Sequence, residues 1–177
     1  IKIAEEVGSN SIYKYAKLFG FGTPTNFDMA CETAGKIKPE KEWSRIYVGQ
    51  ISMGHEVAVN TLQLAVAFSA IANNGFIVKP YIIDKIYNKD KNLEQKTMSL
   101  VKRQISSEKK INEIKEMLRQ VVLDGTGTEA GIKGWDVAGK TGTAQKYING
   151  KYSNDHFISN FVGFFPASKP EILSVIV

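Results

Sequence analysis

The segment Val137–Gln145 reads VAGKTGTAQ, and five consecutive positions within it carry a lysine, two threonines and two glycines. The flanking residues predict a strand from Trp135 to Ala144. On an edge strand, a lysine supplies positive charge, a threonine supplies a directional hydrogen-bond donor, and a glycine lets a ligand backbone lie close. Such a strand suits a peptide carboxylate or amide that docks by strand addition.

The same stretch also satisfies a phosphate-loop pattern, because Gly134, Gly139, Lys140 and Thr141 match Gly-x4-Gly-Lys-Thr. A phosphate loop needs a strand before its first glycine and a helix that begins at the lysine. Here a polar, turn-rich segment precedes the match, and a glycine and β-type residues follow it. This context argues against nucleotide binding.

The composition indicates an ordinary globular protein, and we expect no cofactor. The 177 residues carry a net charge of +5, with lysines spread along the chain and no aromatic-interleaved basic stripe, so nucleic acid is not an expected partner. Cys31 is the only cysteine, which excludes an internal disulfide. Neither His55 nor His156 has ligand partners at metal spacing, and we expect structural or solvent roles for both.

Hydrophobic periodicity predicts helices followed by hairpin-linked strands, which indicates an α+β fold with helices packed on an antiparallel sheet. Asn149-Gly150 is a strong hairpin-turn signal, Trp135 is expected to anchor the core, and Thr23–Trp43 is expected to be a loop. The predicted helices are Ser11–Phe19, Leu62–Ala72 (capped by Asn60 or Thr61) and a long one capped by Ser106 or Ser107. The predicted extended segments are Val78–Tyr87, Trp135–Ala144, Phe157–Phe165 and Ile172–Val177.

Three blocks of sequence resemble the transpeptidase domain of class B penicillin-binding proteins, especially the septal, cell-division members. They are DGTGTEAGIKGWDVAGKTGTAQK (124–146), VNTLQLAVAFSAIANNGFIVKPYI (59–82) and FVGFFPASKPEILSVIV (161–177). The resemblance implies the penicillin-binding protein/serine β-lactamase-like fold, an antiparallel sheet flanked by helices. It also implies that residues 1–177 are the C-terminal portion of one such domain, incomplete at both ends.

The resemblance assigns roles to the residues of the opening segment. Lys140 would assist proton movement and electrostatics, and Thr141 and Thr143 would bind the carboxylate of a donor stem peptide or of a β-lactam. Gly142 would keep the strand face open. The backbone N–H of Thr143 would be one of two oxyanion-hole donors.

The family's nucleophile lies in an S-x-x-K motif, and a second motif is S-x-N. S-x-x-K occurs at Ser11, Ser106 and Ser107, but the last two suit helix caps and Ser11 belongs to a segment that lies downstream of the nucleophile in the family. No S-x-N tripeptide occurs in the sequence. We therefore expect both motifs to precede Ile1, and expect this chain by itself to be inactive.

The resemblance implies a peptidoglycan D,D-transpeptidase on the extracytoplasmic face of the bacterial membrane, anchored by an N-terminal span outside this chain. Its partners would be peptidoglycan stem peptides, β-lactams and, through other parts of the parent protein, cell-division membrane proteins. Two alternatives stay open. One is a D,D-carboxypeptidase or β-lactamase of the same fold, and the other is a non-catalytic domain that senses β-lactams or binds proteins.

Overall fold

A computed structural model describes residues 1–29 and 31–177, and within them the chain forms five α-helices and seven strands. The helices are α1 (Lys2–Val7), α2 (Ser9–Phe19), α3 (Arg45–Ile51), α4 (Thr61–Ala72) and α5 (Glu108–Asp124). The strands are β1 (Phe76–Val78), β2 (Lys85–Tyr87), β3 (Leu93–Lys96), β4 (Val101–Gln104), β5 (Ala138–Ile148), β6 (Lys151–Phe165) and β7 (Ile172–Ile176).

The main sheet is antiparallel with the strand order β5-β6-β7, so β5 lies at one edge. Two smaller antiparallel pairs, β1 with β4 and β2 with β3, lie between α4 and α5 in the chain. Helices packed on an antiparallel sheet are the predicted α+β arrangement, and this prediction is confirmed. Among the described residues, no helix is long and apolar enough to cross a bilayer.

Helix α4 is the centre of the core, as its apolar sequence predicts. None of the residues 62–72 is exposed. The helix packs against β1, β6 and β7, while α5 packs against β5. Buried residues of these elements form one cluster: Val66, Ala70, Ile71, Ile77, Ile105, Ile111, Leu118, Ala138, Phe164 and Ala167.

Local chemistry explains where α4 begins and ends. The Asn60 side chain accepts a hydrogen bond from the Gln63 backbone N–H at 2.7 Å, and the Asn60 backbone N–H donates to Gln63 Oε1 at 3.0 Å. This capping box satisfies two N–H groups at the start of the helix. At the other end, Asn74 and Gly75 adopt positive φ angles of 51° and 92°, which stop the helix as predicted.

The β5–β6 hairpin turns at Asn149-Gly150, where both residues have positive φ, so the predicted turn is confirmed. Nearer the core, Gly139 lies opposite Gly163, and the Phe161 ring crowds both glycines. A Cβ atom added at Gly139 would lie 2.7 Å from the Val162 carbonyl oxygen and 3.0 Å from the Gly163 Cα. The two strands therefore approach too closely there for any larger residue.

Three expectations about extended structure differ from the observed strands, and one is that β6 begins at Lys151, six residues before the predicted Phe157. Val78–Tyr87 is not one segment, because it divides between β1 and β2, which pair with different partners. Pro80 lies between the two strands and lacks the N–H that a continuous ladder would need. The predicted strand from Trp135 begins only at Ala138, since a turn closed by the Trp135 N–H and the Ile132 carbonyl precedes it.

Two side-chain roles also differ from expectation. Trp135 is 59% exposed and touches only the edge of the hydrophobic interior through the Phe165 ring, at 5.4 Å between centroids, so it is not a core anchor. Ser107 does occupy the N-cap position of α5, but its side chain makes no capping hydrogen bond. Its contribution to the helix start is therefore made by its backbone, whose carbonyl oxygen accepts from the Ile111 N–H at 3.1 Å.

The glycine contacts generate a stability prediction. Gly139→Ala should lower the free energy of unfolding by about 3 kcal/mol, because the new Cβ would meet the Phe161 ring and also strand backbone that cannot move aside. Gly142→Ala should cost less, because the atoms nearest to the new Cβ belong to the side chain of Asn160 and not to backbone, and the double variant with Asn160→Ala should recover that loss. Urea denaturation measures each value, and equal losses for the two glycine variants would contradict this account.

Candidate active site

Strand β5 presents the predicted site residues along the edge of the main sheet. Lys140 and Thr143 are exposed, while Thr141 and Gly142 are half-buried. The strand begins in the core at the buried Ala138, so these four residues project from a rigid base. The sequence prediction that they share one strand is confirmed, and the structure adds that this strand lies at an edge of the sheet, whereas their substrate and catalytic roles stay predictions.

The Lys140 ammonium lies over the following threonine. Its Nζ donates to the Thr141 carbonyl oxygen at 2.8 Å and lies 3.5 Å from Thr141 Oγ1. No carboxylate forms an ion pair with Lys140 among the described residues. An unneutralised cation beside a hydroxyl is a suitable environment for an anionic group of a ligand.

Thr126 joins this cluster, and sequence reasoning did not single it out. Its Oγ1 lies 2.8 Å from Thr141 Oγ1, although fifteen positions separate the two residues in the chain. The segment that follows α5 therefore contributes a second hydroxyl to the site. The only sequence signal was the position of Thr126 between two glycines, which is ambiguous because glycines also mark simple helix ends.

Gly142 has a packing neighbour as well as a predicted binding role. It pairs with Asn160 on β6, and a Cβ at Gly142 would lie 2.6 Å from Asn160 Oδ1. The side chain of Asn160 thus covers one face of Gly142. The absence of a side chain at Gly142 lets this carboxamide lie flat against the strand, and close approach of a ligand there stays a prediction.

An apolar cavity of about 440 Å³ opens beside the same strand. Its wall includes Gly142, Thr143, Ala144 and Asn160, and these face aliphatic and aromatic side chains from the helices and loops opposite. Those side chains come from α2, α4 and the segment around α3: Ile12, Ala16, Phe19, Ile51, Val57, Val59 and Leu64 among them. The strand therefore borders both a polar cluster and an apolar space.

The far end of the β5–β6 hairpin is held by residues outside the sheet. The Tyr152 hydroxyl accepts from the Glu56 N–H at 3.2 Å and donates to Glu56 Oε1 at 3.4 Å, and the His55 ring stacks on Tyr152 at 4.4 Å. Tyr47 donates to the Glu56 carbonyl at 2.9 Å, and burial raises the pKa of Tyr47. The stacking contact agrees with the structural or solvent role expected for His55, which stays a prediction.

No serine of an S-x-x-K sequence hydrogen-bonds to the Lys140 cluster within the described chain. Ser11 lies on α2, and Ser106 and Ser107 precede α5. A further match that sequence reasoning overlooked begins at Ser99, but its lysine, Lys102, bonds to the Thr25 carbonyl at 2.6 Å. The structure therefore joins none of these motifs to the candidate site.

The geometry supports neither a phosphate-binding loop nor a metal site. A phosphate loop would need a helix that begins at Lys140, but Lys140 lies within β5. The described residues hold no cluster of three or more histidine, cysteine or acidic side chains that suits a metal ion. His156 Nδ1 lies 3.2 Å from Ser153 Oγ, so its polar neighbour is a hydroxyl of the same hairpin.

Comparison with known proteins connects this geometry to one family. The family model described as "Penicillin binding protein transpeptidase domain" matches residues 1–177. Stage V sporulation protein D of Bacillus subtilis is 35% identical over 177 residues, which cover 98% of this chain and 27% of that protein. The probable peptidoglycan D,D-transpeptidase PenA of Neisseria meningitidis is 28% identical over 173 residues, which cover 97% of this chain and 28% of PenA.

A solved structure shares the fold. Penicillin-binding protein 3 of Mycobacterium tuberculosis, in complex with aztreonam, superposes with a TM-score of 0.87 at 30% sequence identity, over 97% of this chain and 40% of that chain. The chain spans about a quarter of the length of the curated relatives named here. The full-length match to the family model and the shared fold lead to one conclusion: this chain belongs to the penicillin-binding protein transpeptidase domain family.

Proposed function

We propose that this chain forms the substrate-binding wall of a peptidoglycan D,D-transpeptidase, which cross-links stem peptides by serine acyl transfer and binds β-lactams. The observation that carries the proposal is the edge strand β5, where the Lys140 ammonium lies beside the Thr141 hydroxyl and has no carboxylate partner within residues 1–29 and 31–177. A donor peptide ends in a carboxylate, and β-lactams such as penicillins carry one too. A cation and hydroxyl donors bind that group.

The donor peptide adds to the free edge of β5 as a further strand. The Lys140 ammonium bonds to the Thr141 carbonyl, which supports an orientation of that carbonyl toward the free edge. In an antiparallel strand, the N–H of Thr141 points to the same side as its carbonyl, and the N–H of Thr143, two positions further on, also points to that side. The Thr143 N–H is then available to stabilise the oxyanion that develops during attack.

The reaction proceeds by two acyl transfers. A serine oxygen attacks the donor peptide carbonyl, an ester to the enzyme forms, and the C-terminal residue of the donor leaves with a proton on its amine. An amine of an acceptor stem peptide then attacks the ester, which forms the amide cross-link and returns the proton to serine. Lys140 supplies the positive electrostatic field for both steps, and Thr141 and Thr143 hold the donor carboxylate.

The serine is supplied by a segment outside residues 1–177, which is the C-terminal part of one transpeptidase domain. The apolar cavity beside Gly142 and Thr143 supports this proposal, because an uncovered space of about 440 Å³ lined by aliphatic side chains suits another apolar element. A nucleophile-bearing helix seated there would place its serine near β5. The family's S-x-N motif would come from the same outside part.

The cellular location of the parent protein follows from the location of its substrate. Peptidoglycan lies outside the cytoplasmic membrane, so we infer that this domain is extracytoplasmic and is anchored through a segment beyond this chain. A relative named for peptidoglycan transpeptidation favours a role in building the cell wall, and the sequence resemblance to septal members favours cell division as the place of that role. Cell-division membrane proteins would then be partners of other parts of the parent.

The first prediction concerns Lys140. In the complete parent protein, Lys140→Ala should slow acylation by a fluorescent penicillin about 100-fold, because loss of one preorganised electrostatic group at such a site has that scale of effect. Lys146→Ala is the matched control, since Lys146 is exposed on the same strand and makes no side-chain hydrogen bond or ion pair among the described residues. Equal rates for Lys140→Ala and the wild type would remove Lys140 from the site.

The second prediction concerns the nucleophile. The complete protein should be labelled covalently by the fluorescent penicillin, and the isolated 177-residue chain should not, because none of its S-x-x-K serines hydrogen-bonds to the Lys140 cluster among the described residues. Gel fluorescence after denaturation measures the covalent product, and circular dichroism establishes that the chain is folded. Stoichiometric labelling of the folded chain would show that the serine lies within it.

A further inference from the structure

The pair of hydroxyls at Thr126 and Thr141 imposes a condition on how the site binds an anion. Their oxygens lie 2.8 Å apart, so one hydroxyl donates its single proton to the other. The Lys140 ammonium has no acceptor capacity and lies 3.5 Å from Thr141 Oγ1, at the limit of a hydrogen bond. Thr126 is therefore the nearest partner that sets the direction of the Thr141 proton.

A carboxylate ligand decides which hydroxyl donates. An ionised carboxylate only accepts hydrogen bonds, so Thr141 can bind it only by donating its proton to it. The Thr141 oxygen must then accept the proton of Thr126. In that arrangement the single proton of Thr126 is already used, and Thr126 acts on the ligand through Thr141.

The backbone around Thr126 is built to hold it at this place. Gly127 is buried, and its N–H donates to the Val121 carbonyl of α5 at 2.9 Å. A Cβ at Gly125 would lie 2.8 Å from the Val121 Cα and from its carbonyl oxygen. The chain therefore folds tightly back over the last turn of α5, which itself packs against β5. Thr126 is fixed relative to the strand that carries Thr141.

We propose that Thr126 is a positioning residue, which donates to Thr141 and so directs the Thr141 proton toward the carboxylate of a donor peptide or β-lactam. The inference rests on the proposed function, because it concerns the same carboxylate site. It extends that site from β5 to the turn after α5. The Gly125-Thr126-Gly127 turn then has a role in specificity as well as in ending the helix.

The test measures the second-order rate of acylation of the complete parent protein by a penicillin. Thr126→Val, which keeps the shape and removes the hydroxyl, should lower this rate about ten-fold, the effect of one hydrogen bond to a charged complex. Thr126→Ser should restore it to within about two-fold of the wild type, since it keeps the hydroxyl. Thr128→Val is the matched control, because Thr128 is an exposed threonine of the same turn with no side-chain hydrogen bond there.

Two further readouts separate positioning from a structural effect. In a Thr141→Val background, the added Thr126→Val change should slow acylation no further, because Thr126 acts through Thr141. A penicillin methyl ester, which lacks the carboxylate, should acylate the wild type and Thr126→Val at equal rates. Melting temperatures report on folding. If Thr126→Val has a lower melting temperature than the wild type, Thr126→Ala replaces it in every comparison.

Three results would overturn the inference. The first is a wild-type acylation rate for Thr126→Val, and the second is a double variant in which Thr126→Val slows acylation further beyond the effect of Thr141→Val. The third is a loss of rate with the penicillin methyl ester in Thr126→Val as large as the loss with penicillin itself. A different result tests the proposed function itself. If the wild-type parent protein is not acylated by the penicillin at all, the proposed function fails. The two failures are therefore distinguishable from the wild-type rate alone.

Discussion

The close pairing of β5 with β6 is the constraint on which the rest of the site depends. In a strand, a register slip of one residue moves every side chain to the opposite face. Here the register is held at one end by Gly139 against Gly163 beneath the Phe161 ring. The register shifts between Gln145 and Tyr147, and beyond this shift the far end of the hairpin is held by the Asn149-Gly150 turn and by the Tyr152–Glu56 contacts. Lys140 and Thr141 therefore have fixed places along the free edge.

The main core connects this strand to the helices. Ala138 at the start of β5 and Phe164 on β6 belong to the same buried cluster as residues of α4 and α5. Because α5 packs against β5, the turn after α5 lies over Thr141 and adds Thr126 to the polar cluster. On its other side the strand borders an apolar space that suits a further apolar element. One edge strand thus joins the polar and apolar parts of the site.

Sequence reasoning was most successful where the signal is local. The apolar run of α4, its Asn60 cap and the Asn149-Gly150 turn depend on neighbouring residues, and the structure has each of them as predicted. It failed where long-range packing decides. Trp135 is a large apolar residue, yet the turn before β5 leaves it mostly exposed, and Val78–Tyr87 divides because its two halves find different strand partners. The cluster at Lys140 was foreseen, but without Thr126.

The sequence by itself determined that Lys140, Thr141, Gly142 and Thr143 share one strand, the α+β class and the family, because motifs and hydrophobic period are properties of neighbouring positions. Only the tertiary structure decided that Thr126 meets Thr141, that Asn160 covers Gly142, and that Tyr152 is held by Glu56. Each of these contacts joins residues that lie from fifteen to ninety-six positions apart. Such contacts depend on how whole helices and strands pack, which no local pattern records.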